Sequence, residues 1–500
     1  MRNVLEYLEH TAGVCGDRIA AEDVEKSFTF RELCERAKGI GDRLTEVTEP
    51  RRPVAVYMEK GVEALAAFMG SVYAGCFYIF LNPELPDARL RDILEISDVR
   101  VALTVGSCRE KLDGLGFVGT SLCLEEIKDE WDEERLKVVR RQAADTDPLY
   151  ANFTSGSTGK PKGVVVSHRS VLDFINIFPE MFGIGEQDVI GNQAPFDFDV
   201  SVKDIYTSFK TGARLVIIPK AYFSFPAQLL DYLCERKVTT LIWAVSALCM
   251  VTSLKGFTYR VPERVDKVLF SGEKMPMKHL NVWRRHLPGA SFVNLYGPTE
   301  ITCNCTYYRI GSDFSGPELP IGRAFPNERV FLLDEEDRPV TEPDRQGEIC
   351  VAGTALALGY YGNPGETAKH FVQNPLNRAY QETIYRTGDL GRYDGDGLLY
   401  FVGRKDFQIK FMGHRIELEE IETALYRVPG VEQNCCLFLE KKNRIAACYV
   451  GTAAEADIRQ ALADILPAYM IPGLYRRLDA MPLKNGKIDR SGLKAFWEGR

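Results

Sequence analysis

Over roughly its first 250 residues the chain alternates between short apolar runs and longer amphipathic ones, and this rhythm limits the fold more than any other feature. VAVYME (54–59) reads as a short buried strand, and GVEALAAFMGSVYAG (61–75) as a helix stopped by glycine. ARLRDILEI (88–96) is again helical and VRVALTV (99–105) is a strand. The helical VKDIYTSFKTG (202–212) precedes the strand ARLVIIP (213–219), and AQLLDYLCERK (227–237) precedes VTTLIWAV (238–245). Strand and helix in alternation predict a parallel sheet covered by helices. No fixed-period repeat interrupts the pattern, which excludes a solenoid or propeller.

The texture changes after about residue 315. ERVFLLDEEDRPV, GEICVAGTALALGYY and GLLYFVGRKDFQIKFMG are short strands separated by Gly, Asp and Pro turns. In the last hundred residues FQIKFMG, CCLFLE and RIAACYV read as strands, LEEIETALYRV and AEADIRQALADIL as helices. At 500 residues the chain exceeds one hydrophobic core. The expectation is a multidomain α/β protein: a large domain 1–403 of αβ-layered sheets with a β-rich subdomain at about 315–403, and a small mobile α+β domain 404–500.

Charge excludes some functions. Lys and Arg number 62 against 70 Asp and Glu, a net charge of −8, so no basic surplus points to nucleic acid or an anionic membrane. The N-terminus MRNVLEYLEH has carboxylates where a signal peptide is apolar. The longest apolar run, Leu241 to Val251, is broken by Ser246 and too short to span a bilayer. Thirteen cysteines, an odd number without a CxxC pair, read as reduced thiols; a cytoplasmic protein is expected.

Chemistry concentrates in three clusters. Phe153 to Gly163 (FTSGSTGKPKG) holds three glycines, four hydroxyls and two lysines. Its backbone N–H groups could wrap phosphate oxygens while a lysine neutralises charge. A surface linker is the alternative. Pro161 after Lys160 rules out a GKS or GKT phosphate loop. Asn294 to Glu300 (NLYGPTE) places a Gly297-Pro298 turn at a strand exit, where ligands of α/β sheets bind. Asp389, in YRTGD, could accept bonds from ribose hydroxyls.

Together these stretches resemble the adenylate-forming (AMP-forming) ligase superfamily, specifically amino-acid adenylation domains and D-alanine–carrier-protein ligases. The resemblance runs the length of the chain in order: FTFREL (28–33), YAGCFYIFLNP (73–83), FTSGSTGKPKG, FDVSVKDIY (198–206), NLYGPTE, GEICVAGTALALGYY (347–361), YRTGDLGR (385–392), GRKDFQIKFMGHRIELEEIE (403–422) and LKNGKIDR (483–490). Asn82, where aspartate is usual, and Leu358, where arginine is common, depart from the pattern.

The resemblance implies two half-reactions. An amino-acid carboxylate attacks the α-phosphorus of ATP with Mg²⁺ present, and a phosphopantetheine thiol then takes the acyl group. Thr154, Ser155, Gly156, Ser157, Thr158, Gly159 and Lys160 would line the β- and γ-phosphates. Tyr296 would cover adenine, Thr299 would touch the α-phosphate, Glu300 would hold Mg²⁺ and Asp389 would accept from ribose beside Arg404. Gly272, Glu273, Asn294 and Gly297 complete the nucleotide set. Lys487 would bridge substrate carboxylate and α-phosphate as the catalytic lysine, Asp406 would be the hinge, and Gly413 would face the pantetheine.

Asp199 would grip the substrate ammonium, with Asp197 as the alternative. Val200, Lys203, Trp243, Leu269, Ser271, Leu295, Cys303 and Asn304 would line the side-chain pocket. Trp243 would shorten it, favouring serine or alanine, either isomer, over Phe, Tyr or Leu. Lys203 would either bond a polar substrate or snorkel outward. The implied partner is a phosphopantetheinylated carrier protein supplied in trans to a monomer. The rival function is an acyl- or aryl-CoA synthetase using free coenzyme A.

Overall fold

The computed structural model describes residues 1–156, 159–484 and 487–498, with the backbone alone at Lys487 and Glu498. The chain forms two compact units. One comprises Met1–Asn82, Ser97–Asn152 and Val164–Lys405; the other comprises Pro83–Ile96, Phe153–Gly163 and Asp406–Arg500. The division at Lys405 and Asp406 falls inside the charged triplet after Gly403. The second unit also takes in two earlier segments that a contiguous 1–403 domain would keep.

The first unit is built on three sheets. A nine-stranded sheet has a parallel centre, in the order Ser291–Tyr296, Lys267–Ser271, Thr240–Ala244, Val189–Asn192, Arg214–Ile217 and Ile19–Glu22, with antiparallel strands at both edges. A seven-stranded sheet is centred on Phe77–Leu81, Pro53–Tyr57 and Val101–Thr104, again parallel. After residue 327 the expected β-rich region is a five-stranded antiparallel sheet, in which Thr383–Tyr393 pairs with Gln346–Gly353 and Leu399–Arg404.

Local chemistry explains the elements between the sheets. Thr29 Oγ1 accepts the Glu32 N–H at 3.2 Å and Glu32 Oε2 accepts the Thr29 N–H at 2.8 Å, so FTFREL is a capping box that starts the helix Phe30–Thr45. The helix Val62–Tyr73 is buried at every position but Glu63, which accounts for its nearly unbroken apolar sequence. It meets Phe30–Thr45 at glycines: a Cβ on Gly70 would stand 2.4 Å from Ile40 Cγ2. One large core joins these helices to both parallel sheets, and a second covers the other face of the nine-stranded sheet.

In the second unit the hairpin Gln408–Phe411 and His414–Glu417 leads into the helix Leu418–Tyr426. Met412 and Gly413 form its turn at φ of 54° and 82°. Three strands, Val431–Leu439, Arg444–Gly451 and Leu474–Leu478, carry helices Glu455–Ala463 and Arg490–Glu498. Ile421, Leu425, Ile445 and Ile458 fill one core, and Leu437, Met481 and Leu493 another. All thirteen cysteines are free thiols and ten are buried. Among the described residues no helix is long and apolar enough to cross a membrane.

Candidate active site

The parallel strands of the nine-stranded sheet all release their chain at their carboxyl ends, the usual place for ligands in such sheets. Val189–Asn192 leads to Asp199 and the helix Val200–Thr211. Lys267–Ser271 leads to Gly272, at φ 97°, and Glu273. Ser291–Tyr296 leads to the turn 297–304, closed by the Cys305 N–H on the Tyr296 carbonyl at 2.8 Å. Gly297 has to be glycine, since a Cβ would lie 2.5 Å from Asn304 Cα. Thr302 and Cys303 hold positive φ of 53° and 77°, a strained turn for non-glycine residues.

That turn delivers Cys303 and Asn304 to the helix Val200–Thr211. Cys303 Sγ donates to the Asp199 carbonyl at 3.0 Å. Lys203 is 0% exposed; its ammonium donates to Asn304 Oδ1 at 2.7 Å and, weakly, to Ser271 Oγ at 3.5 Å. Lys203 therefore does not snorkel. Burial holds its pKa below the ordinary lysine value, against the opposing charges of Asp199 and Asp204. Asp199 and Val200 are half-buried beside it.

Strand register sorts the remaining pocket residues. Ile242, Leu269 and Val293 are aligned partners, and so are Trp243, Phe270 and Asn294. Neighbours in register share a face, and successive residues alternate. Leu269, Ser271 and Leu295 thus lie on the Lys203 side, with Leu269, Leu295 and Cys303 in one core. Trp243 does not. It sits in the opposite core against Phe223 and Trp283 and donates its indole N–H to the Gly191 carbonyl at 2.7 Å. The expectation that Trp243 shortens the pocket is corrected: Ile242 and Ala244 are the residues of this strand on the Lys203 side. Asn294 also faces away, donating to the Pro320 carbonyl at 2.8 Å.

Behind this cluster lie groups that the motifs did not single out. Lys60 Nζ donates to the carbonyls of Asn192, Gln193 and Ala194 at 3.4, 3.3 and 3.2 Å, just before Asp199. Asn192 Nδ2 donates to Asp204 Oδ2 at 2.6 Å. Burial pulls Lys60 down to about 7, partly offset by Asp204 and Asp197, and pushes Asp204 up to about 7. Asp197 thus acts on the Lys60 charge, whereas Asp199 acts on Lys203.

A second group of site residues forms around Asp389, which is 1% exposed. The Tyr296 hydroxyl donates to Asp389 Oδ2 at 2.5 Å, and Arg404, its partner across the strands, bonds Asp389 Oδ1. Desolvation by burial, and after it the charge of Asp389, drives the Tyr296 hydroxyl far above its ordinary pKa. Glu300 follows Thr299 in a short 3₁₀ turn, is 0% exposed and accepts the Tyr360 hydroxyl at 2.7 Å. Among the described residues no three His, Cys, Asp or Glu gather as a metal cluster. A lone carboxylate is nevertheless the donor set that Mg²⁺ uses when phosphates supply the rest, so Glu300 fits that ion.

The loop Phe153–Gly163 belongs to the second unit. Its Ser155 hydroxyl bonds the Arg415 carbonyl and its Gly156 N–H donates to Glu420 Oε2 at 3.2 Å. Gly159 turns at φ 78°, Lys160 Nζ lies 3.7 Å from Glu95, and Thr154 Oγ1 finds no bond among the described residues. Ser157, Thr158 and the Lys487 side chain lie outside the described residues; the Lys487 backbone pairs with Lys484.

Residues 8–361 match the family model described as AMP-binding enzyme. The chain is similar to Tyrocidine synthase 1 of Brevibacillus parabrevis, 31% identical over 98% of this chain and 45% of that protein. It is also 32% identical to Zwittermicin A synthase ZmaJ of Bacillus cereus, over 95% of this chain and 92% of that one. A solved structure of holo-PA1221, described as an NRPS protein containing adenylation and PCP domains, matches with a TM-score of 0.86 at 26% identity, covering 98% of this chain and 84% of that one. The chain spans less than half the length of most of the curated relatives it matches.

Proposed function

The chain belongs to the AMP-binding enzyme family and is an AMP-forming ligase, and from that premise we propose that it activates a small polar amino acid as its aminoacyl-AMP and passes it to the phosphopantetheine thiol of a carrier. In the first half-reaction the substrate carboxylate forms a bond to the α-phosphorus of ATP and pyrophosphate leaves. In the second, the thiol sulfur takes the acyl carbon, its proton is lost and AMP leaves. Both steps join or release anions, so positioning and cationic donors supply most of the acceleration.

One observation supports an amine-bearing polar substrate above the rest: Asp199 stands at the start of the helix whose Lys203 is buried against Asn304 and Ser271. Asp199 pairs with the α-ammonium. Lys203, an ammonium with three N–H groups, offers the side chain a donor, which favours serine over alanine and over Phe or Leu. Tyr296 and Arg404 orient Asp389 toward the ribose, and Lys160 and the loop amides hold the β- and γ-phosphates. Glu300 would hold Mg²⁺, which when bound offsets phosphate charge. Lys487 bridges carboxylate and α-phosphate in the first half-reaction only, and Asp406 is the hinge between the two.

Exchange of labelled pyrophosphate into ATP, measured with a panel of amino, fatty and aryl acids, tests this reading. Serine-dependent exchange is expected. Exchange with acids lacking an amine, or thioester formation on free coenzyme A, would replace it with an acyl-CoA synthetase. Asp406→Pro should retain exchange and impair transfer.

A further inference from the structure

Two donors of the phosphate loop are already engaged. Gly156 N–H is on Glu420 Oε2 at 3.2 Å, and Ser155 Oγ is on the Arg415 carbonyl. Both acceptors belong to the segment after Asp406, in the same compact unit as the loop. Glu420 is 3% exposed, and its Oε1 is bonded by Arg89, 5% exposed, on the helix Asp87–Ser97. The loop backbone also fits closely against the helix that carries Glu420, for a Cβ on Gly159 would stand 2.9 Å from Thr423 Cγ2.

An anionic oxygen on a backbone N–H of a glycine-rich loop is chemically what a phosphate oxygen is there. Burying that carboxylate is costly. Arg89 and the Gly156 amide oppose the desolvation that raises its pKa, so the arrangement is a built one. Two anions on one amide repel each other, and a single N–H gives a well-aligned bond to only one of them.

We propose that Glu420 is the phosphate's replacement: its carboxylate takes the Gly156 amide once pyrophosphate has left, so that bound polyphosphate and the Arg89–Glu420–Gly156 arrangement exclude one another. This rests on the reading of 153–163 as the phosphate loop. Glu420 is then a positioning residue, holding an emptied loop in place during the second half-reaction and resisting the return of pyrophosphate.

The test is calorimetric titration of the full chain with inorganic pyrophosphate. The double variant Arg89→Met/Glu420→Met removes both charges and leaves no buried ion alone. It should bind pyrophosphate about tenfold tighter than the unmodified chain, because the competing anion is gone. Glu420→Gln, close to isosteric, should shift affinity in the same direction by less. An ion pair that only stabilised the fold would change the melting temperature and not this affinity. Unchanged or weaker pyrophosphate binding in both variants overturns the proposal. Lys160→Ala separates the two readings: if it leaves pyrophosphate binding untouched, the phosphate loop itself is misassigned and both readings fall. If it weakens binding while Glu420 variants change nothing, only the exchange is wrong.

Discussion

Lys203 and Glu420 are both buried ions, 0% and 3% exposed, and each is bonded to two partners. The partners of Lys203 come from one sheet: Ser271 ends a parallel strand, and Asn304 closes the turn after the next. Backbone ladders fix them before any ligand arrives. The partners of Glu420, Arg89 and Gly156, come from segments 331 and 264 residues away and meet it by side-chain docking. A contact set by strand register suits selection, where geometry has to persist. A contact set by docking suits exchange, because breaking it leaves each sheet intact.

The largest test of this contrast is Lys487→Ala in the second unit. Adenylation should fall by about 10²–10³, the usual loss for one preorganised donor, while thioester formation from supplied aminoacyl-AMP persists. Equal losses in both steps would remove Lys487 from the first-step role. Lys203→Met probes the register-fixed side. The serine-to-alanine ratio of kcat/KM in the exchange assay should drop about 10–100-fold, since a hydrogen bond from a charged donor contributes roughly 1.5–3 kcal/mol. A ratio that does not move would make Lys203 a purely structural ion.

Trp243→Phe sharpens the face assignment. Losing the indole bond to the Gly191 carbonyl and the ring packing against Phe223 and Trp283 should cost about 1–3 kcal/mol in denaturant unfolding, with amino-acid preference unchanged. A changed preference would return Trp243 to the pocket. The smallest effect belongs to Glu328, which is 6% exposed and accepts the Ala355 N–H at 3.2 Å. Burial pushes its carboxyl from 4.5 up to about 8. The folded acid keeps its proton longer than the unfolded one, so its contribution is full below 4.5 and lost as pH rises through about 8. Melting temperatures taken across that window should decline less steeply for Glu328→Gln than for the unmodified chain; parallel curves would show that Glu328 is not the titrating group.

Sequence alone determined what local pattern can carry. The alternation of strand and helix, the glycine turns and the order of the nine motifs are legible because each depends on residues within a turn or two of one another. It also brought Asp199, Lys203, Ser271, Cys303 and Asn304 together in advance through the family resemblance. Only tertiary structure decided the rest. Thr240–Ala244 is buried on both faces, so its unbroken apolar run holds no alternation to say which way Trp243 points. Pairing with Lys267–Ser271 set that orientation. Whether Lys203 snorkels depended on acceptors 68 and 101 residues away. The grouping of 83–96 and 153–163 with the C-terminal segment rests on docked side chains such as Arg89 and Glu420. Such contacts join residues hundreds of positions apart, and no periodicity along the chain records them.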